Sequence, residues 1–225
     1  MLGRAFPILV TVAIACFGAA PFLIGAAPYE STMGLVQKIF YFHAPSGMTM
    51  FAGACVAGCA SAAYLFTGKA SADRIAAAAV ELTVLFGAIV LMTGPLWGRK
   101  AWGVWWQWDA RLTSSLLLWM MFVACLLVRK YGGPGSAKLA AAVALFGMAN
   151  VPFVYISVNV WRTLHPKTTV IPSLVPGMRG PFWFATATFL CLFLALLAVR
   201  VRLGERQAQL DDLYRAMDDD ALEGE

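Results

Sequence analysis

Six stretches of the chain are almost free of charge: roughly residues 6–26, 45–66, 76–96, 112–128, 139–157 and 182–201. Each is about 20 residues long, and at 1.5 Å rise per residue a helix of that length crosses a hydrocarbon core about 30 Å thick. The apolar positions run together without the two-residue alternation that a membrane β-barrel strand of about ten residues needs. In lipid the backbone must satisfy its own hydrogen bonds, which selects helices. The small residues Gly53, Ala54, Ala57 and Gly58 predict a close helix–helix approach. The predicted fold class is therefore an all-α integral membrane protein with six transmembrane helices. Residues 1–203 form one six-helix domain, and residues 204–225 form a polar, acidic tail.

The polar connections fix the topology. One side of the membrane receives the N-terminus, "TGKASADR", "RKYGGPGSAK" and the tail. The other receives residues 27–44, 97–111 and 158–181. The first side carries ten Lys and Arg residues against seven on the second, so the positive-inside rule expects both termini in the cytoplasm. Arg4 before the first run also suits a signal peptide, but that run exceeds a signal core of about 7–15 residues. It is read as a retained helix, kinked at Pro21. The tail, "LDDLYRAMDDDALEGE", is expected to begin helical and fray later, and it receives no function.

Composition agrees. The chain is 60% hydrophobic and 13% charged, against about 25% charged in a soluble domain. The net charge of +5 belongs to this membrane topology, with lipid as the surrounding partner, and carries no implication of nucleic acid. The five cysteines lie inside apolar runs without metal-type spacing and read as small buried residues. No internal repeat or Walker A motif is present.

The chemistry concentrates on one face. Five of eight tryptophans fall in "WGRKAWGVWWQWDARLTSS": Trp97, Trp102, Trp105, Trp106 and Trp108. An aromatic belt places Trp at membrane interfaces, but a belt needs one or two rings per helix end. The only two histidines, His43 in "IFYFHAPSGM" and His165 in "SVNVWRTLHP", emerge on the same side as this loop by helix parity. A lone interfacial histidine is ordinary. Two of them flanking an aromatic platform suit haem, because neutral imidazoles serve as axial iron ligands and indoles cover porphyrin. Arg111, Arg162 and Arg179, on the same side, suit the carboxylates of propionates. Asp109 stands where an N-cap of the fourth helix is expected. Arg111 could equally pair with Asp109 or lipid phosphate. Glu81, the one acid inside a span, suggests an interfacial or partner contact.

At this point a family resemblance can be stated. "WGVWWQWDAR" resembles the tryptophan-rich WWD signature of haem-handling proteins in cytochrome c maturation. "YFHAPSG", "SVNVWRTLHP" and "WDARLTSSLLLW" resemble the haem exporter protein C family within that superfamily. The resemblance covers residues 4–202. It implies a bacterial inner-membrane protein holding haem b on its periplasmic face, with His43 and His165 as axial ligands. Trp102, Gly103, Trp105, Trp106, Trp108 and Asp109, with Arg111, would form the haem-binding loop. It further implies transfer to a periplasmic haem chaperone of the CcmE type. The implied partners are the ATPase, permease and small single-helix subunits of an ABC-type exporter (CcmA, CcmB and CcmD types). The chain would then be a non-enzymatic scaffold. The alternative is a haem lyase acting on apocytochrome c, whose relatives typically carry Asp-Pro where this chain has Asp109-Ala110. A transporter would place its polar groups nearer mid-membrane. A di-haem or quinone-reactive membrane cytochrome would need paired histidines within its helices.

Overall fold

The computed structural model describes residues 5–223, so Arg4 and the last two residues of the acidic tail lie outside it. Six helices follow in order: α1 (Ala5–Ala26), α2 (Phe40–Thr67), α3 (Ala70–Trp102), α4 (Ala110–Tyr131), α5 (Ser136–Val160) and α6 (Pro176–Glu223). All six are long and apolar enough to cross a membrane. A 3₁₀ turn over Leu35–Ile39 leads into α2, and another over Thr168–Val170 precedes α6.

Three helices outrun their apolar stretches. α2 begins at Phe40, so His43 lies in its first turn, not ahead of the helix. α3 continues past Leu96 through Trp97 to Trp102 and contains Pro95. The expected loop at 97–111 therefore shrinks to a non-helical segment at 103–109. α6 runs 48 residues, about 70 Å at the helical rise, through the 203/204 boundary and along the polar tail, where fraying was expected. The physical reason is common to all three. Hydropathy marks where lipid ends, whereas a helix ends only where its hydrogen-bond ladder is broken or capped.

α3 ends where Gly103 adopts φ +76°, and its N–H bonds to the Arg99 carbonyl at 3.1 Å. Glycine reaches this left-handed conformation without steric cost. Gly103 is thus a chain-turning residue by structure.

α2 packs along α3, with α5 and α6 closing around it; α4 lies on α5 and α1 on α6. The predicted small-residue stripe carries this packing. A Cβ on Gly53 would stand 2.6 Å from Thr83 Oγ1 on α3, and one on Gly58 would stand 2.4 Å from Met148 on α5. Gly87 of α3 makes room for Trp119 of α4, whose indole N–H donates to the Val84 carbonyl at 2.9 Å. The core is aromatic and aliphatic: Phe86, Phe122, Phe189 and Phe193 cluster with Met50, Leu118 and Val154. A second cluster, containing Ile24, Tyr41, Met178 and Phe182, underlies the end of the bundle that carries the histidines.

Two ion pairs bind α3 to its neighbours. Arg129 of α4 forks onto Asp73 at 2.5 and 3.2 Å. Arg200 of α6 forks onto Glu81 at 2.5 and 2.6 Å. Glu81 therefore finds its partner inside the chain, which neutralises a carboxylate that lipid would otherwise penalise.

Candidate functional site

The start of α2, the end of α3, the start of α4 and the chain leaving α5 converge on one face. His43, in the first turn of α2, and His165, in the segment after α5, lie with ring centroids 6.4 Å apart and planes inclined by 43°. A metal bound end-on by two imidazoles at about 2 Å each would set the rings about 6 Å apart. The donor chemistry also fits. His43 Nδ1 is engaged with Thr93 Oγ1 at 3.0 Å, and His165 Nδ1 with the Pro166 carbonyl at 2.9 Å. In each ring the nitrogen left for a ligand is Nε2. A carbonyl accepts only, so His165 carries its proton on Nδ1 and presents an unprotonated Nε2.

The site keeps His165 neutral. Burial, reinforced by the Arg111 guanidinium, pushes its pKa down from the usual 6.5 to about 4, against the opposing bond to Pro166 and the charge of Asp109. The sign of the pH dependence follows. In the unfolded chain His165 takes a proton below about pH 6.5, whereas in the fold it does so only near pH 4. Stability is therefore whole above about pH 6.5 and is lost as pH falls towards 4. Thermal unfolding of the detergent-solubilised protein between pH 7 and 4 should show this loss, and His165→Gln should make it shallower. An unchanged slope in the variant would refute the buried, neutral assignment.

Asp109 is the fastener of the site. One carboxylate oxygen caps α4 by accepting the Leu112 N–H at 2.8 Å. The other accepts the Thr163 hydroxyl at 2.5 Å and the Leu164 N–H at 3.2 Å. The Thr163 oxygen in turn accepts the His165 N–H at 3.0 Å. The tryptophan segment is thus tied through Asp109 and Thr163 to the backbone of one histidine. Arg111 makes no ion pair with Asp109 among the described residues. Its guanidinium reaches back to donate to the Val154 carbonyl of α5 at 2.5 Å and lies over Phe51.

The tryptophans divide into two kinds. Trp97 and Trp102 pack edge to face at the end of α3, with centroids 5.1 Å apart. Trp106 and Trp108 make a second such pair at 5.7 Å. Trp105 and Trp108 expose 56% and 75% of their surfaces, enough to offer ring faces to another molecule. Among the described residues, the buried indole N–H groups of Trp97 and Trp106 have no acceptor. Such donors are rarely left unpaired, and they suit a ligand bearing acceptor groups.

A cleft of about 620 Å³ opens beside His165, lined by Gln107, Asp109, Trp161, Arg162 and Lys167 among others. His43 is not on its wall. Arg162 and Lys167 bring positive charge to this cleft, while Arg179 is committed to the Leu174 carbonyl at 2.6 Å. Of the three sequence-predicted arginines, Arg162 lines the cleft and Arg111 bonds to α5, while Arg179 is not among the cleft's lining residues. Sequence reasoning did not find Thr93, Thr163 or Lys167. Thr163 stands two residues before His165, but nothing local marks it as a contact of Asp109.

Fold and site together define a polytopic membrane protein whose two histidines come together at the face that also carries the tryptophan-rich segment. A family described as "Heme exporter protein C" matches residues 1–213. Heme exporter protein C of Bradyrhizobium diazoefficiens is 34% identical over 203 residues, covering 87% of this chain and 77% of the relative. That of Escherichia coli strain K12 is 33% identical over 186 residues, covering 79% and 74%. A putative cytochrome c biosynthesis ccmC-like mitochondrial protein of Marchantia polymorpha is 30% identical over 179 residues, covering 75% and 77%. The chain belongs to the Heme exporter protein C family.

Proposed function

We propose that this chain holds haem b at the periplasmic face of the bacterial inner membrane and presents it to a periplasmic haem chaperone during cytochrome c maturation. The observation that carries the reading is the pair of neutral-competent imidazoles, His43 and His165, with ring centroids 6.4 Å apart and each Nδ1 engaged elsewhere. Membership of the family supports a role in haem handling.

The parts have distinct tasks. His43 and His165 bind iron through Nε2. Trp105 and Trp108, exposed at the rim, cover porphyrin and meet the chaperone. Arg162 and Lys167 in the cleft receive propionates. The bound haem supplies the vinyl group to which the chaperone's histidine becomes joined. The protein's contribution is to fix its orientation and bring the partners together, the proximity part of the rate. Both termini then lie in the cytoplasm. ATP hydrolysis belongs to an ABC-type ATPase, with its permease and small single-helix subunit as further partners, because this chain has no phosphate-binding loop of its own.

The test is reconstitution. Purified protein is loaded with haem in detergent, mixed with the periplasmic chaperone, and covalent haem on the chaperone is measured. Trp105→Ala and Trp108→Ala should lower this loading severalfold while protein level in the membrane stays near wild type. Parallel loss of level and loading would assign these rings to folding instead. Haem attached directly to an apocytochrome without the chaperone would favour the lyase alternative.

A further inference from the structure

Beneath His43 the wall of α3 is shaped for an imidazole. A Cβ on Gly94 would stand 3.2 Å from His43 Cε1 and 3.8 Å from Nδ1, so the missing side chain there lets the ring lie close against the helix. One residue earlier, Thr93 brings its hydroxyl to 3.0 Å from His43 Nδ1, and the Val90 carbonyl of the same helix is a second acceptor within reach of the ring. That hydroxyl also bonds back to the Ile89 carbonyl at 2.7 Å, with the Val90 carbonyl at 3.5 Å. A threonine hydroxyl has one proton and two lone pairs. With its proton directed at carbonyls, which accept only, the oxygen turns a lone pair towards His43.

We infer that Thr93 is a positioning residue for the haem site: through its hydroxyl, back-bonded to α3, it holds His43 as the Nδ1–H tautomer and presents Nε2 as the free ligand atom. This rests on the haem reading above, but its first consequence concerns the protein without haem. His165 obtains the same tautomer from the Pro166 carbonyl. The two ligands are thus set alike by unrelated devices, one a side chain inside the bundle and one a backbone carbonyl in a loop. Partners at the far nitrogen of a metal-bound histidine fix its orientation and raise its basicity, and their loss typically costs about 10–100-fold in metal affinity.

The experiment uses the full chain in detergent with ¹⁵N-labelled histidine. Long-range ¹H–¹⁵N correlation spectra of the haem-free protein report which ring nitrogen carries the proton, and His165→Gln assigns the remaining signal to His43. Expected is Nδ1–H for His43 in wild type and in Thr93→Ser, and a mixture of tautomers in Thr93→Val. Haem titration of the same proteins should give about 10–100-fold weaker binding for Thr93→Val, a more positive reduction potential, and near wild-type values for Thr93→Ser. An Nε2–H signal for His43 in the wild type would overturn the assignment of Thr93 while leaving the haem reading intact. Equal behaviour of the serine and valine variants would also overturn it. A wild-type protein that shows Nδ1–H but takes up no haem would instead overturn the haem reading and leave the tautomer assignment standing.

Discussion

Changing His43 or His165 to alanine is expected to remove most of the haem b absorbance from protein purified after expression with ample haem. Losing an outer-shell partner of a metal ligand already costs about 10–100-fold in affinity, and losing the ligand itself exceeds that. Oxidised and dithionite-reduced spectra of wild type and both variants check it. Imidazole added to either alanine variant should restore part of the signal by entering the vacated position. The geometry makes the two effects similar in size, because each ring supplies one free nitrogen and neither duplicates the other. Unchanged spectra in both single variants would end the two-histidine assignment.

The second large effect is expected at Asp109. Alanine there removes an N-cap, worth about 1 kcal/mol. It also strips the acceptor from the part-buried Thr163 hydroxyl, where an unpaired donor costs about 1–3 kcal/mol, and from the exposed Leu164 N–H, which water can take over. The start of α4 and the segment carrying His165 then lose their fastening. Haem affinity should fall about 10–100-fold, as for other losses behind a metal ligand, together with a lowered unfolding temperature. Asp109→Asn retains one oxygen acceptor and should fall between. Haem titration and thermal unfolding on the same preparations measure both. An alanine variant with wild-type affinity would show that Asp109 caps the helix without organising the ligand.

The outline of both fold and site can be read from the sequence, because apolar runs and their parity are properties of the solvent. Lipid demands about 20 apolar residues per crossing, and six such runs bring residues 43, 97–111 and 165 to one face whatever the insertion. What could not be read depends on contacts between distant segments. His43 lies just ahead of the apolar run that begins at residue 45 and so reads as a loop residue, yet α2 begins at Phe40 and runs through Pro45. The "WGRKAW" stretch looked like loop because Arg99 and Lys100 end the apolar run, yet the helix continues to Gly103. Asp109 was legible as a cap from its place before "ARLTSS", but its bonds to Thr163 and Leu164 cross more than fifty residues of chain. Arg111 offered Asp109 as a natural partner and took the Val154 carbonyl instead. No local pattern encodes that choice.

The wide separation of His43 and His165 along the chain also bears on how the protein is made. A nascent chain that has inserted only four helices owns one imidazole, the tryptophans of residues 97–119 and an Asp109 that caps α4 but still lacks Thr163 and Leu164. The second imidazole arrives after α5 has crossed and the chain has turned back at Trp161. If both rings hold haem, as proposed above, only a chain that has completed its fifth crossing can bind it. By linkage the ligand adds its binding free energy to that finished state and to none of its precursors. On that reading the cargo would serve as a proof of assembly: a chain truncated before residue 165 would enter the membrane with its aromatic loop displayed and yet remain colourless.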